Sequence, residues 1–215
     1  MQNKMIVIDG VDGAGKGVQT RALVDIMNRA GLDTILTREP GGSAAAEEIR
    51  ALLVTGDTEK WDSMTELLLM YASRKSHVRD TILPALNNGQ WVVCDRFADS
   101  SRAFQGVAGM LGLDCVEELH QLVLGDFKPD LVLILDLPES VALERTFKRA
   151  DSEDRFENKG LEYHKLVRQA FRKIAQGSPN LHAVVDAEKP IDSVTDTILS
   201  IINSAFELSP PLKRL

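Results

Sequence analysis

The sequence has few cysteines, no metal-ligand pattern and no long apolar run. Only Cys94 and Cys115 occur among 215 residues, and Cys94 lies inside an apolar run, which indicates a buried free thiol and not a disulfide. No Cys-x-x-Cys motif or histidine pair has the spacing of metal ligands. The apolar stretch near the N-terminus is too short for a signal peptide, and no stretch approaches the length of a membrane span. We therefore expect a cytoplasmic protein with no membrane partner.

Positive charge is also scarce. The chain has 25 lysines and arginines against 32 aspartates and glutamates, which gives a net charge of −7. An acidic protein repels polyanions, so we expect no nucleic-acid polymer as a partner. Any phosphate group that it binds must be held by a local positive site. At 44% hydrophobic residues, the chain suits one α/β domain, or one domain with a small lid.

Apolar, strand-like runs alternate with longer helical patterns. The strongest runs are nearly all apolar, which is typical of parallel strands covered on both faces. In the first helical pattern, apolar residues recur on one face and Gly31 ends the helix; these residues are Val18, Ala22, Ile26 and Ala30. The alternation predicts a doubly wound parallel sheet. Its predicted strands are residues 5–9, 34–37, 91–95, 131–136 and 183–186.

A glycine-rich segment of the form G-x-x-x-x-G-K follows the first predicted strand and precedes a helical pattern. In such loops backbone N–H groups and the helix N-terminus bind phosphate, and Lys16 reaches the β- and γ-phosphates. The alternative is an ordinary strand-to-helix turn. The context favours a phosphate loop, and hence a P-loop NTPase-like three-layer sandwich of about five parallel strands. The loop residues are Gly10, Val11, Asp12, Gly13, Ala14, Gly15, Lys16 and Gly17.

One loop position departs from the usual pattern. Most phosphate loops carry Ser or Thr after the lysine, and its hydroxyl binds Mg²⁺. This chain has Gly17 there, followed by Val18. Phosphate binding is supported, but the usual metal ligand is missing.

Other segments narrow the class of phosphate-loop protein. A switch GTPase needs an N-K-x-D motif. Here Asn158-Lys159 is followed by Gly160-Leu161, without the aspartate, so a switch GTPase is not expected.

Two charged segments point to a second ligand that bears phosphate. The segments TREPGG (37–42) and DRFADSSRAFQG (95–106) follow the second and third predicted strands. Since strand ends meet at one edge of a parallel sheet, Asp95 and Arg96 would lie where the two ligands of a kinase meet. Arginine suits phosphate and aspartate suits a metal-bound water. For either segment taken alone, a surface ion pair would be the favoured interpretation.

At these residues the sequence resembles the thymidylate kinase family, bacterial type. The resemblance runs through the phosphate loop, TREPGG, LLLMYASR (67–74), DRF, GDFKPDLVLILD (125–136) and VVDAEKP (184–190), in the family's order. It implies a single kinase domain over residues 1–215 with a lid at about 149–159. The implied activity is transfer of the γ-phosphoryl group of ATP to dTMP with Mg²⁺ as cofactor. The family's members are usually homodimers.

The resemblance also implies roles for individual residues. The donor nucleotide would be held by the phosphate loop together with Arg145, Ala187 and Lys189. The substrate-binding residues would be Asp12, Arg38, Pro40, Met70, Arg74, Arg96, Ser101 and Phe104. The catalytic residues would be Lys16, Asp95, Arg96, Arg149 and Arg155. Asp95 would also hold the metal, through a water.

The family places its catalytic arginine either in the phosphate loop or in the lid. Here the loop position is Gly13, while the lid contains Arg149 and Arg155, so the chain resembles the lid type. Met70 stands where the family usually stacks Phe on thymine, and Phe104 stands where a Tyr usually packs against deoxyribose. Met70 could instead be a core methionine. Two alternatives therefore stay open: a kinase of relaxed specificity, and a nucleotide-binding protein that has lost catalysis.

Overall fold

The computed structural model describes residues 4–147, 155–156 and 159–214. Within these ranges, five strands form one sheet in which every neighbouring pair is parallel. The order across the sheet is β2-β3-β1-β4-β5. The predicted parallel sheet is confirmed, with strand bounds that differ by at most one residue. The strands are β1 (Met5–Gly10), β2 (Thr34–Arg38), β3 (Trp91–Asp95), β4 (Leu131–Asp136) and β5 (His182–Asp186).

Helices cover both faces of the sheet and connect its strands. A π-helical segment, Val78–Ile82, joins α3 to α4, and a second one, Arg102–Ala108, continues α5. No described helix is long and apolar enough to cross a membrane. The helices are α1 (Lys16–Arg29), α2 (Ala44–Val54), α3 (Ser63–His77), α4 (Leu83–Asn87), α5 (Ala98–Ser101), α6 (Leu113–Leu124), α7 (Glu139–Phe147), α8 (Leu161–Gly177) and α9 (Ile191–Ala205).

The depth of each strand in the sheet explains its sequence. All six residues of β1 are buried because helices cover both of its faces, which is why this strand is a continuous apolar run. Strands β2 and β5 lie at the edges, where buried and exposed residues are mixed. The strand with the continuous apolar run is therefore the fully buried one, and the strands with mixed sequences are the edge strands.

The carboxyl ends of β1, β2 and β3 bring the three predicted segments together. Asp95, the last residue of β3, is in register with Ile8 of β1 and with Arg38 of β2. The phosphate loop, the segment after Arg38 and the segment after Asp95 consequently leave the sheet side by side, as expected for ligand sites in such sheets.

Candidate functional site

The phosphate loop needs glycine for two reasons. Gly10, Gly13 and Gly15 have φ values of +131°, +80° and +88°, in the region that L side chains avoid. A Cβ on Gly10 would also lie 2.4 Å from the Leu135 carbonyl oxygen, and one on Gly13 would lie 2.3 Å from the Ala142 carbonyl oxygen. An arginine at position 13 would therefore require α7 to move.

Lys16 opens α1 and folds back over the loop. Its ammonium donates hydrogen bonds to the carbonyl oxygens of Val11 (2.8 Å) and Gly10 (3.2 Å), and it lies 3.9 Å from the Asp12 carboxylate. Burial and, next, the charge of Arg96 lower its pKa to about 8. The negative charge of a nearby phosphate would stabilise the charged form of this buried ammonium.

Arg96 is held against the phosphate loop in a left-handed backbone conformation (φ +69°). Its guanidinium donates to Asp9 (3.2 Å), to the Gly10 carbonyl oxygen (2.9 Å) and to Asp12. Burial of Arg96 disfavours its charge, but Asp12 and Asp9 outweigh burial and raise its pKa. Non-glycine residues in this conformation cluster at ligand sites.

Asp95 and Gly17 face each other across the start of α1. A Cβ on Gly17 would lie 3.6 Å from Asp95 Oδ2 and 3.3 Å from Arg21 Nη1. Among the described residues, no group of three or more potential ligands could enclose a metal by itself. One carboxylate beside a phosphate loop does fit Mg²⁺, which usually keeps waters and binds substrate phosphates.

A cavity of about 400 Å³ runs from the phosphate loop across the ends of β2 and β3. Every residue predicted to bind the substrate lines it, as do the loop residues and strand-end residues predicted to act in catalysis. The predicted residues on its wall are Asp12, Gly13, Gly15, Lys16, Gly17, Arg38, Pro40, Met70, Arg74, Asp95, Arg96, Ser101 and Phe104.

Arg74 closes the far end of this cavity. It is 2% exposed and donates to Glu39 (2.7 Å), to Ser101 Oγ (3.1 Å from both terminal nitrogens) and to the Phe97 carbonyl oxygen (3.1 Å). Its guanidinium also stacks 4.5 Å from the centre of the Tyr71 ring. These contacts fix the Arg74 guanidinium and the Ser101 hydroxyl at the cavity wall, where the polar edge of a ligand ring could bind to them.

Glu39 is a buried residue that the sequence analysis missed. It accepts a hydrogen bond from Arg74 and contacts His77 Nδ1 at 3.1 Å, while His77 Nε2 lies 2.6 Å from Thr37 Oγ1. The available signal was an acidic residue inside the TREPGG segment, directly after Arg38. Glu39 therefore orients Arg74.

Phe104 and Met70 form the apolar part of the wall. Phe104 is 6% exposed and packs against the rings of Phe156 and Tyr163, with the Arg96 guanidinium 5.2 Å from its centre. Met70 is half-buried and lines the cavity. Met70 therefore lies on the cavity wall, and its contact with a base stays a prediction.

The predicted donor-side residues outside the phosphate loop lie apart from this cavity. Arg145 donates to the Ala187 carbonyl oxygen (3.4 Å), and the Ala187 amide donates to the Asp136 carbonyl oxygen. Lys189 is exposed, 3.9 Å from Asp186. Because Arg145 lies on α7, which contacts the phosphate loop at Gly13, this group flanks the loop. Its role toward a donor base stays a prediction.

Of the two arginines in the predicted lid segment, the structure describes one. Arg149 lies outside the described residues. Arg155 is fully buried, and it donates to the carboxylate of Glu66 (2.7 Å). It donates further to four backbone carbonyl oxygens, those of Leu53, Asp57, Thr58 and Trp61. It does not line the cavity, so a direct catalytic role would require it to leave all five partners.

Two further residues belong to the site. Asp9 is fully buried and binds Arg96, Ser100 Oγ (2.7 Å) and the Gly10 amide (2.9 Å). Burial, the largest influence, raises its pKa above the ordinary value. Arg21 of α1 lines the cavity beside Gly17. Sequence analysis missed Arg21, which belongs to no motif, so only its neighbours in space identify it.

Comparisons with known proteins agree on one family. The family model described as thymidylate kinase matches residues 8–198. A thymidylate kinase of Caulobacter vibrioides is 45% identical over 94% of this chain and 96% of its own length. One of Magnetococcus marinus is 42% identical over 97% of this chain and 100% of its own length. The crystal structure of thymidylate kinase from Ehrlichia chaffeensis is similar with a TM-score of 0.75 and 29% identity, over 94% of this chain and 99% of that one.

Proposed function

We infer that this chain, which belongs to the thymidylate kinase family, transfers the γ-phosphoryl group of ATP to dTMP and yields dTDP and ADP. The observation that carries this function is the single cavity described above. It has a phosphate loop at one end and the pair Arg74 and Ser101 at the other, with Arg96 between them. A donor phosphate and an acceptor monophosphate can therefore meet in it.

On the acceptor side, we propose that Arg74 and Ser101 bind the thymine edge. Arg74 has five N–H groups, and its four hydrogen bonds to described residues leave one hydrogen on Nη1. Met70 would cover the face of the base through its polarizable sulfur. Phe104 would pack against the sugar, and Arg38 and Pro40 would line the phosphate end.

For the transfer itself, we propose that positioning and charge stabilisation act in place of acid–base chemistry. Arg96 would exchange its contacts with Asp9 and Asp12 for the dTMP phosphate. Lys16 would leave the loop carbonyls for the donor phosphates, and Arg149 would supply the lid cation. Mg²⁺ neutralises charge on the β- and γ-phosphates when it is bound, and Asp95 would hold it through a water.

The test is a coupled assay of ADP release with Mg-ATP and each nucleoside monophosphate. We expect the highest kcat/KM for dTMP, with dUMP at least about tenfold lower, because it lacks one methyl group. The ribose form of TMP should also be poorer, because a 2′-hydroxyl would meet the apolar ring of Phe104 and gain no partner. A Lys16→Met variant measures the background.

Two results would contradict this function. Equal kcat/KM for dTMP and the other deoxynucleotides would favour the kinase of relaxed specificity. ADP release with none of them would favour a protein that has lost catalysis.

We propose further that the enzyme is a cytoplasmic homodimer, as the resemblance implies. Helices α2, α3 and α6 pack together and leave large apolar side chains exposed, among them Leu52, Leu68 and Leu122. Sedimentation equilibrium should give twice the 23.7 kDa chain mass. Leu68→Glu should shift the protein toward monomer, whereas Val184→Glu, on the edge strand β5, should not. A monomeric wild-type protein would contradict the proposal.

A further inference from the structure

Arg21 projects from α1 into the space beside the phosphate loop. It lies one helical turn after Gly17, so the two positions share a helix face. Long side chains on a helix lean back toward its N-terminus. Accordingly, Arg21 Nη1 lies 3.3 Å from the point where a Cβ of residue 17 would be. The guanidinium therefore reaches the site where other phosphate loops place their hydroxyl.

Other cations on the cavity wall already have partners. The ammonium of Lys16 is bonded to loop carbonyl oxygens, and Arg38 pairs with Glu47 at 3.0 Å. Arg74 pairs with Glu39, and Arg96 pairs with Asp9 and Asp12. In the part of the chain that the structure describes, Arg21 forms no hydrogen bond and no ion pair.

An arginine with no partner beside a phosphate loop is suited to phosphate. A guanidinium carries a positive charge and presents five N–H donors in a planar fork that matches phosphate oxygens. It cannot bind a metal ion. It therefore replaces the missing hydroxyl not as a metal ligand but as a positive charge of its own.

We propose that Arg21 binds the β- and γ-phosphate oxygens of the donor nucleotide. It supplies part of the positive charge that a hydroxyl-held metal ion supplies in most phosphate loops. The inference rests on the proposed function only in taking ATP as the donor. A Cβ at position 17 would make a tight contact with this guanidinium, at 3.3 Å.

The test measures binding without metal, so that it does not depend on turnover. Titration calorimetry in EDTA compares ATP, inorganic triphosphate, AMP and dTMP on wild type, Arg21→Gln and Arg21→Lys. Arg21→Gln should weaken ATP and triphosphate about 10- to 100-fold, the effect of a hydrogen bond to a charged group. AMP and dTMP should bind as before. Arg21→Lys should recover part of the loss, because it keeps the charge.

Arg29→Gln is the matched control. Arg29 lies on the same helix but pairs with Asp25 at 2.7 Å, so its removal should leave ATP affinity unchanged. Unchanged triphosphate affinity in Arg21→Gln would overturn the proposal. So would an equal loss for dTMP, which would place Arg21 on the acceptor phosphate.

A double-mutant cycle tests the link to position 17. Gly17→Ser brings a Cβ to within 3.3 Å of Arg21 Nη1 and displaces the guanidinium. In that background Arg21→Gln should weaken triphosphate binding less than threefold, and strict additivity of the two changes would overturn the proposal. If wild type binds triphosphate through Arg21 yet releases no ADP with dTMP, the proposed function fails and this inference stands.

Discussion

Replacing Lys16 with methionine should lower kcat about 10²- to 10³-fold, because it removes a positioned cation from the transferring phosphoryl group. Methionine is of similar length and keeps the apolar contacts of the side chain. The same variant should retain its stability, which separates a role in chemistry from a role in folding.

The stability expectation follows from the lowered pKa of Lys16, about 8. An unfolded lysine has a pKa near 10.5, so at pH 7 the folded state bears the cost of a buried charge, about 3 kcal/mol at most. Between pH 8 and 10.5 the unfolded chain holds more of the Lys16 proton than the folded one, so the contribution of Lys16 to wild-type stability should rise with pH. Lys16→Met lacks this cost. Any excess of its free energy of unfolding over that of the wild type should therefore shrink as the pH rises from 8 to 10.5.

Thermal unfolding without ligand, at pH 7 and again near pH 10, measures this difference alongside the coupled assay. Lys165→Met is the control. Within the described ranges Lys165 forms one exposed ion pair, with Glu162 (2.7 Å), so this variant should change neither turnover nor stability. A Lys16→Met protein that unfolds at pH 7 would show that the lysine holds the loop together. Wild-type turnover would show that it does not contact the reacting group.

The sheet and the meeting of the three segments were predictable for one physical reason. Strands buried on both faces must be apolar, and parallel strands end at one edge. Asp95, Arg96 and the loop therefore had to lie at one edge of the sheet once the strands were recognised. They are neighbours along that edge because β3 lies between β2 and β1, an order that the apolar pattern does not give.

The packing of α1 shows where such patterns fail. The apolar face predicted from Val18 is not the most buried one, since Val18 is 42% exposed. The helix packs instead through residues that include Gln19, whose amide binds the Ile191 carbonyl oxygen (3.1 Å) and the Thr195 hydroxyl (2.9 Å). Apolar periodicity cannot register a polar residue that is buried because its hydrogen bonds are satisfied.

The predicted lid segment shows a second reason why burial cannot always be predicted from sequence. Arg155 stands in a polar stretch, and polar composition predicts exposure. Four of its five acceptors are backbone carbonyl oxygens, which any sequence supplies. Nothing in the residue letters marks them as a binding site for arginine, so only the fold distinguishes Arg155 from Arg149.

Arg155→Met should lower the free energy of unfolding by about 3–5 kcal/mol, the cost of removing one partner of a buried ion pair. It leaves four carbonyl oxygens without their donor, and it leaves Glu66, 1% exposed, to Lys159 (2.8 Å) and Gln105 (3.0 Å). Urea unfolding measures the change. For a chain of this length, the melting temperature should fall by roughly 10 °C.

A turnover assay decides whether Arg155 stabilises the fold or acts on the phosphoryl group. Well below the melting temperature, Arg155→Met should keep kcat within about tenfold, with a raised KM for dTMP, because Arg155 precedes Phe156, which packs on Phe104. Arg172→Met is the matched control: Arg172 is half exposed, 3.1 Å from Asp136, and should cost less than 1 kcal/mol. If Arg155→Met instead loses turnover a thousandfold and unfolds at the wild-type urea concentration, Arg155 leaves its five partners to reach the phosphates. Its place beside Glu66 would then be the resting position of the catalytic lid arginine.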